Sequence, residues 1–153
     1  MNLHIEKVTD RNRSSILALK VKEEQSGFIE SVSQCLSEAD SLSLWRPVGI
    51  YDGESLVGFA MYGFFPSEGD LGRAWLDRFM IDASCQGKGY GKAALYQILS
   101  VIFEQYGCSG IFLSLYENNK GAERLYRKAG FVFTGEQDSN GEKIMLLEHI
   151  SFG

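Results

Sequence analysis

The segment Gln86-Gly87-Lys88-Gly89-Tyr90-Gly91 is the most informative stretch of this sequence. It follows an apolar run at 74–82 that is typical of a β-strand, and it precedes the helix-forming residues 92–95. Because three of its six residues are glycines, the backbone can turn tightly and aim successive N–H groups at one anion. The helix that follows adds its positive N-terminal end. Taken alone, the segment predicts either a cradle for a phosphate group or only a turn between a strand and a helix.

Two common nucleotide-binding signatures do not fit this loop. A P-loop needs a Ser or Thr after its lysine to hold magnesium, and here Ala93 follows Lys92. A dinucleotide fingerprint needs Gly-x-Gly-x-x-Gly after the first strand of a βαβ unit. In this chain Gly87, Gly89 and Gly91 recur at every second residue, in the middle of the sequence. Both signatures therefore fail on the residues themselves.

The composition of the 153 residues predicts one globular domain, 1–153. Hydrophobic residues make up 44% and charged residues 23%, as in ordinary soluble proteins. The net charge of −5 argues against a nucleic-acid partner, which needs a basic surface, and is compatible with a cationic substrate. Since no apolar run is long enough to cross a membrane and 1–10 lacks signal-peptide features, we expect no membrane partner and a cytoplasmic location.

The cysteines and histidines do not suggest a metal site. Cys35, Cys85 and Cys108 lack the CxxC spacing of zinc ligands, and neither His4 nor His149 has a second ligand at useful spacing. We therefore expect no metal. Cys85 adjoins the glycine segment, where it is either a reactive thiol or an incidental small residue.

The periodicity of apolar residues predicts an α+β fold in the order β-α-α-β-β-β-α-β-α-β-β. The predicted strands are 3–8, 47–51, 55–65, 74–82, 111–116, 131–137 and 143–150. The predicted helices are one capped by Thr9-Asp10 that continues to about 21, and others at about 26–41, 89–106 and 118–129. Within 74–82, alternation puts Trp75, Asp77, Phe79 and Ile81 on one face of the strand, and Leu76, Arg78 and Met80 on the other.

Two separated blocks of sequence resemble the GNAT N-acetyltransferase superfamily. The first is Gln86-x-x-Gly89-x-Gly91, and the second is Asn119-x-x-Ala122-x-x-Leu125-Tyr126-x-Lys128-x-Gly130-Phe131. They occur in the order and at the separation of that superfamily, and the resemblance extends over nearly the whole chain. It implies a GNAT fold, with a mixed, mostly antiparallel sheet of about seven strands flanked by about four helices. It also implies acetyl-CoA as co-substrate.

The resemblance assigns a cofactor role to several residues. Backbone amides of the loop would bind the acetyl-CoA pyrophosphate; its residues are Gln86, Gly87, Lys88, Gly89, Tyr90, Gly91 and Lys92. The main chain of Met80 and Ile81 would pair with the pantetheine arm. Asn119 would hydrogen-bond the pantetheine end, or cap the helix that follows, and the two roles can coexist.

Acetyl transfer to an amine needs a base, an oxyanion donor and an acid for the leaving thiolate. By resemblance Tyr126 is the general acid; its alternative role is that of a packing residue on an amphipathic helix. Asp77 is the candidate base, because a carboxylate in an apolar row is costly without a partner or a function. Its alternative role is a salt bridge to an arginine. A backbone N–H near Met80 is the expected oxyanion donor.

The segments 74–82 and 23–29 are similar to those of bacterial spermine/spermidine N-acetyltransferases. The resemblance makes a polyamine the expected substrate, with carboxylates and aromatic faces along its groove. The candidate substrate-binding residues are Glu23, Glu24, Gln25, Phe28 and Glu30, with Trp45 and Tyr62 as further aromatic faces. The alternative is that 22–27 is only a solvated charged loop.

The expected function is acetyl-CoA-dependent acetylation of a polyamine amine by direct attack in a ternary complex. Three acceptors are alternatives within the same class: another small amine, an aminoglycoside or a protein N-terminus. A catalytically silent acyl-CoA-binding sensor is the alternative from another class. Homodimers are common in the superfamily, and no dimer interface is readable from this sequence.

Overall fold

The computed structural model describes residues 1–23, 25 and 31–148. Its elements are β1 (Leu3–Lys7), α1 (Arg13–Leu17), α2 (Val32–Ser41), β2 (Trp45–Asp52), β3 (Ser55–Phe65), β4 (Arg73–Ile81), α3 (Tyr90–Tyr106), β5 (Ile111–Leu115), α4 (Lys120–Ala129), β6 (Val132–Gln137) and β7 (Lys143–Leu147). The strands form one sheet in the order β1-β2-β3-β4-β5-β7-β6. All neighbours are antiparallel except β4 and β5, which are parallel. The predicted mixed, mostly antiparallel α+β sheet is confirmed.

Helices cover both faces of this sheet. On one face α3 buries apolar side chains at helical spacing, Ala94, Leu95, Ile98, Leu99 and Ile102, against the strands and the end of α4. On the other face α1 and α2 bury Ile16, Cys35 and Leu36 against Phe59, Met61 and Met80. We call these the α3 face and the α1/α2 face.

A β-bulge in β4 changes which side chains share a face. Met61 of β3 pairs with Arg78, whereas the next residue, Tyr62, pairs with Leu76, so Asp77 is the extra residue. Leu76 and Ile81 therefore both pack on the α3 face, and Met80 packs on the α1/α2 face. The prediction of one continuous alternation through 75–81 is wrong, because an inserted residue shifts the two-residue period by one.

The strands β4 and β5 separate soon after they meet. Their pairing consists of Ala74 with Ile111 and Trp75 with Phe112, and within the described chain it does not extend past Trp75. The bulge at Asp77 bends β4 at the point where the two strands part. The result is a gap in the middle of the sheet, lined by backbone from β4 on one side and β5 on the other.

The first helix begins later and ends earlier than predicted. It spans Arg13–Leu17 with Asn12 as N-cap residue, in place of a helix capped by Thr9-Asp10 and extending to 21. Asn12 accepts a hydrogen bond from the Thr9 N–H (2.8 Å) and donates one to the Lys7 carbonyl (2.9 Å), which holds 9–12 in a turn. After Ala18 the chain bonds to the segment that follows β4 instead of continuing the helix.

The second helix starts at Val32, several residues after its predicted start near 26. Ser31 and Gln34 form a capping box, in which the Gln34 N–H donates to Ser31 Oγ (3.1 Å) and the Ser31 N–H donates to Gln34 Oε1 (2.9 Å). Residues 26–30, with which the predicted helix began, lie outside the described residues. The same holds for 149 and 150, the end of the last predicted strand.

Candidate active site

The glycine loop, residues 86–92, follows β4 after a short 3₁₀ turn at Ala83–Cys85 and includes the first residues of α3. Gly87 and Gly89 have φ angles of +78° and +87°, which residues with side chains rarely adopt. At Gly91, where φ is ordinary, an added Cβ would meet no atom of the described chain within 4 Å. The backbone conformation therefore requires glycine at Gly87 and Gly89. At Gly91 the absence of a side chain leaves open space beside the backbone.

The N-terminus of α3 opens directly from this loop. The helix is 17 residues long, and its N-cap residue, Gly89, has no side chain to accept a hydrogen bond from the first turn. The first N–H groups of a helix need an acceptor and carry the positive end of its dipole. A phosphate group satisfies both requirements.

The glycine loop is anchored to the turn between β2 and β3 by the side chain of Tyr90. Its hydroxyl donates to Asp52 Oδ2 (2.6 Å), and Asp52 Oδ1 also accepts the Asn2 N–H (2.7 Å). The hydrogen bond from Tyr90, and then that from Asn2, lower the pKa of Asp52, and the Tyr90 bond raises the pKa of the Tyr90 phenol. Tyr90 thus fixes the position of the loop.

A second anchor links the glycine loop to the segment between α1 and α2. Gln86 Nε2 donates to the Ile81 carbonyl (2.9 Å) and to Gln25 Oε1 (2.9 Å), and Gln25 Nε2 donates back to Gln86 Oε1 (3.3 Å). Gln25, predicted as a substrate-binding residue, is therefore a direct partner of the cofactor motif.

The same segment is also held just after β4. The Lys20 N–H donates to Asp82 Oδ1 (2.9 Å), and the Ala83 N–H donates to the Lys20 carbonyl (2.7 Å). Burial of Asp82 acts to raise its pKa, but the hydrogen bonds from Ser84 and Lys20 outweigh it, so the pKa is lowered. The chain before α2 is thus bonded to the glycine loop through Gln25 and to residues 82–83, just after β4, through Lys20.

A cleft of about 630 Å³ occupies the gap between β4 and β5. It extends from the glycine loop past the unpaired end of β4 to α4 and the β6–β7 turn. Alternate backbone groups of a strand point toward each neighbouring strand, so those of β4 beyond Trp75 that face β5 are available to a ligand. The cleft therefore combines an anion-binding loop with a free strand edge, which fits a long ligand with a phosphate at one end.

Tyr126 on α4 lies at the wall of this cleft. Its ring is half-buried and packs edge-on against Phe131, with 5.6 Å between the ring centroids. Burial raises the pKa of the Tyr126 phenol to about 12, opposed by the positive charge of Arg78. The phenol is therefore protonated at neutral pH, as a proton donor must be.

Asn119 is the N-cap residue of α4 and also lines the cleft. Its Oδ1 accepts the Ala122 N–H (3.4 Å), which confirms its predicted capping role. Two turns of helix separate it from Tyr126, and both residues lie on the cleft wall. The two motif blocks of the sequence thus meet in one cavity.

Comparison with known proteins shows to which family the chain belongs. The model of the acetyltransferase (GNAT) family matches residues 10–131, which is most of the chain. The chain belongs to the GNAT acetyltransferase family. It is 48% identical over 151 residues to the spermine/spermidine N(1)-acetyltransferase of Bacillus subtilis (strain 168), covering 97% of this chain and 99% of that protein.

Solved structures agree on the fold. The spermidine N-acetyltransferase of Vibrio cholerae, in complex with CoA and spermine, superposes with a TM-score of 0.72 at 17% identity, covering 95% of each chain. An aminoglycoside acetyltransferase in complex with coenzyme A gives a TM-score of 0.80 at 17% identity, covering 96% of this chain and 95% of that one. At these identities the likeness establishes the GNAT fold and nothing about the substrate.

Most of the site residues predicted by the GNAT motifs line the one cleft. They are Asp77, Met80, Ile81, Gln86, Gly87, Tyr90, Gly91, Asn119 and Tyr126, joined by Gln25. Lys88, Gly89 and Lys92 do not line it, and Lys92 Nζ lies 5.8 Å from the centre of the Tyr96 ring. Glu23 is exposed outside the cleft, and Glu24, Phe28 and Glu30 lie outside the described residues.

Two details of the predicted GNAT site are corrected. Asp77 is exposed at the bulge, so it does not lie in the apolar row from which its role was first argued, although it does line the cleft. Tyr62, predicted as an aromatic face for substrate, is buried on the α3 face, where its hydroxyl donates to Gln105 (3.0 Å). Trp45, the other residue predicted as an aromatic face for the substrate, packs edge-on against Phe65.

Arg78 is a charged cleft residue to which the sequence analysis gave no role. It is 5% exposed, and its Nε and Nη2 atoms are buried without a hydrogen-bond partner in the described part of the chain. The signal was present, because Asp77-Arg78 interrupts the apolar strand between Leu76 and Phe79. Simple alternation paired Arg78 with Leu76 and Met80 and so gave no reason to single it out.

Neither a metal-binding cluster nor a membrane-spanning helix occurs in residues 1–23, 25 and 31–148. In those residues there is no group of three or more Cys, His, Asp or Glu side chains that could hold a metal ion. None of the helices found there is both long enough and apolar enough to cross a membrane.

Proposed function

We propose that this chain transfers an acetyl group from acetyl-CoA to a primary amine of a polyamine, spermine or spermidine. The observation that carries the proposal is the gap between β4 and β5, which joins the glycine loop, a free strand edge and Tyr126 in one cleft. The relative at 48% identity, which acts on spermine and spermidine, supports the choice of acceptor.

The residues of the cleft fit acetyl-CoA. The open backbone at Gly87 and Gly91, with the α3 N-terminus, would bind the pyrophosphate. The main chain of Met80 and Ile81 would pair with the pantetheine arm, and Asn119 would bind its amide end. With these contacts the thioester would lie near Tyr126, where acetyl-CoA would supply the activated acetyl group.

The chemistry requires a neutral amine, because an alkylammonium with a pKa near ~10 is almost fully protonated at neutral pH. Asp77, at the bulge, takes the amine proton directly or through water. A backbone N–H near Met80 stabilises the oxyanion, and Tyr126 protonates the leaving thiolate. Attack is direct, in a ternary complex, with no acetylated enzyme.

The acceptor enters from the side of the segment between α1 and α2. A polyamine carries several positive charges, and carboxylates of that segment, Glu23, Glu24 and Glu30, would bind them together with Gln25 and Phe28. Two further carboxylates, Asp77 and Glu142, line the cleft itself. The net charge of −5 favours approach of a cation. We further propose that the enzyme is cytoplasmic and that it can form a homodimer.

The acceptor is tested by a panel of amines at saturating acetyl-CoA, with release of the CoA thiol as the signal. Spermine and spermidine are expected to give the highest kcat/KM, ahead of a monoamine of equal chain length, an aminoglycoside and a peptide with a free N-terminus. A higher kcat/KM for one of those three would move the acceptor to that class. Binding of acetyl-CoA without turnover of any amine would make the chain a sensor.

A further inference from the structure

Arg78 carries a buried positive charge that the proposed mechanism does not use. The guanidinium is 5% exposed at the wall of the cleft, and within the described residues Nε and Nη2 have no acceptor. Burying a guanidinium costs free energy that only good pairing recovers. An apolar side chain at this position would be less costly, so the charge points to a group that becomes negative during the reaction.

Tyr126 is the group on which this charge acts. Both residues line the same cleft, and the charge of Arg78 opposes the rise in the pKa of Tyr126 that burial causes. The other titratable side chains of the cleft in the described chain are Asp77, Cys85, Tyr90, Tyr116 and Glu142. None of these five contributes to the shift at Tyr126, so Arg78 is its electrostatic partner.

We propose that Arg78 is a positioning residue for acetyl transfer, which stabilises the phenolate of Tyr126 in the interval between loss and recovery of its proton. The inference rests on the proposed role of Tyr126 as general acid. The lone pair of the amine forms the new N–C bond, and the electron pair of the C–S bond leaves with sulfur. Tyr126 gives its proton to sulfur. Asp77 takes the first proton of the ammonium before attack, and the second proton, which the nitrogen loses after attack, restores Tyr126.

The difference between the pKa of the donor phenol and that of the leaving thiol shows why a nearby positive charge helps the proton transfer. A thiol titrates near ~8.5, whereas Tyr126 titrates at about 12, so the transfer is uphill by several pKa units. A positive charge near a phenol lowers its pKa because it favours the phenolate, and the charge of Arg78 acts on Tyr126 in this direction. Arg78 therefore lowers the cost of the step without ionising Tyr126 at rest.

The direct test measures ionisation at position 126 without any substrate. A fluorinated tyrosine incorporated there brings the phenol pKa into a measurable range, and its ¹⁹F chemical shift follows the titration. Arg78→Met is expected to raise that pKa by about one unit or more, and Arg78→Lys by less. An unchanged titration in Arg78→Met would overturn the electrostatic link, whether or not the wild type acetylates polyamines.

Activity and stability supply the second readout. Arg78→Met is expected to lower kcat about 10-fold in the wild type but not in a Tyr126→Phe background, with Arg78→Lys recovering part of the loss. The melting temperature of Arg78→Met is expected to rise by a few degrees, because a buried charge with two unsatisfied nitrogens, Nε and Nη2, is removed. Equal losses of kcat in both backgrounds, or a melting temperature that falls, would reduce Arg78 to a packing residue.

Discussion

At the scale of single residues, Tyr126 has the properties of a proton donor and poor properties for a base. With a pKa raised to about 12, the phenol keeps its proton through the neutral and moderately alkaline range and loses it only as the pH approaches that value. The ring is also packed against Phe131, which fixes its position relative to β4. The sequence located this residue through its motif, but its environment depends on Arg78, forty-eight positions away.

Replacing the Tyr126 hydroxyl tests this role. Tyr126→Phe is expected to lower kcat by about 10²-fold or more while the Kd of acetyl-CoA stays nearly constant, because only the proton donor is lost. Tyr116→Phe removes a hydroxyl from the same cleft and is the matched control, expected to keep kcat within a few-fold. If Tyr126→Phe keeps the wild-type kcat, its ring serves packing alone.

The carboxylate of Asp77 is tested in the same way. Asp77→Asn is expected to lower kcat/KM for spermidine about 10²-fold at neutral pH, and the deficit is expected to shrink as the pH rises toward the pKa of the amine. Above that pH the amine is already neutral and needs no base. Glu54→Gln removes an exposed carboxylate outside the cleft and is the control, expected to leave kcat/KM nearly unchanged. A deficit that is absent, or that is the same at every pH, would leave Asp77 as an ion-pair partner.

At the scale of elements, the regular helices and strands were predictable from the sequence, whereas the β-bulge in β4 was not. The period of α3 and the hairpin between β2 and β3 follow from local residue types, and both formed where expected. The bulge at Asp77 depends on how β3 and β4 are aligned, which no local pattern contains. The start of α2 was readable in principle, because Ser31 and Gln34 have the spacing of a capping box.

The anchoring of the glycine loop predicts an effect on cofactor affinity. Tyr90→Phe removes the hydrogen bond to Asp52, so the loop must be ordered when the cofactor binds. The Kd of acetyl-CoA is expected to rise about 3- to 10-fold, with kcat nearly unchanged. Asp52→Ala is expected to have a similar effect, and the double variant little more than either single one. Independent, additive effects would show that the bond does not order the loop.

At the scale of the whole molecule, the order of the strands brings the two motif blocks together. The glycine loop and α4 each follow one of the parallel neighbours β4 and β5, so both begin at the same edge of the sheet. Their separation in sequence is the length of α3 and β5. This is why two distant blocks predicted one site. The acceptor side was less predictable, since it depends on a segment that bonds to the glycine loop through Gln25 and to Asp82 through Lys20.

The most direct test of the central proposal is the product formed by the purified protein from acetyl-CoA and spermidine. Mass spectrometry is expected to find spermidine carrying one acetyl group, formed in equal amount with free CoA. Tyr126→Phe, assayed beside the wild type, is expected to form it at least about 10²-fold more slowly. Acetyl-CoA that binds the wild-type protein but leaves both spermidine and spermine unmodified would contradict the proposed function.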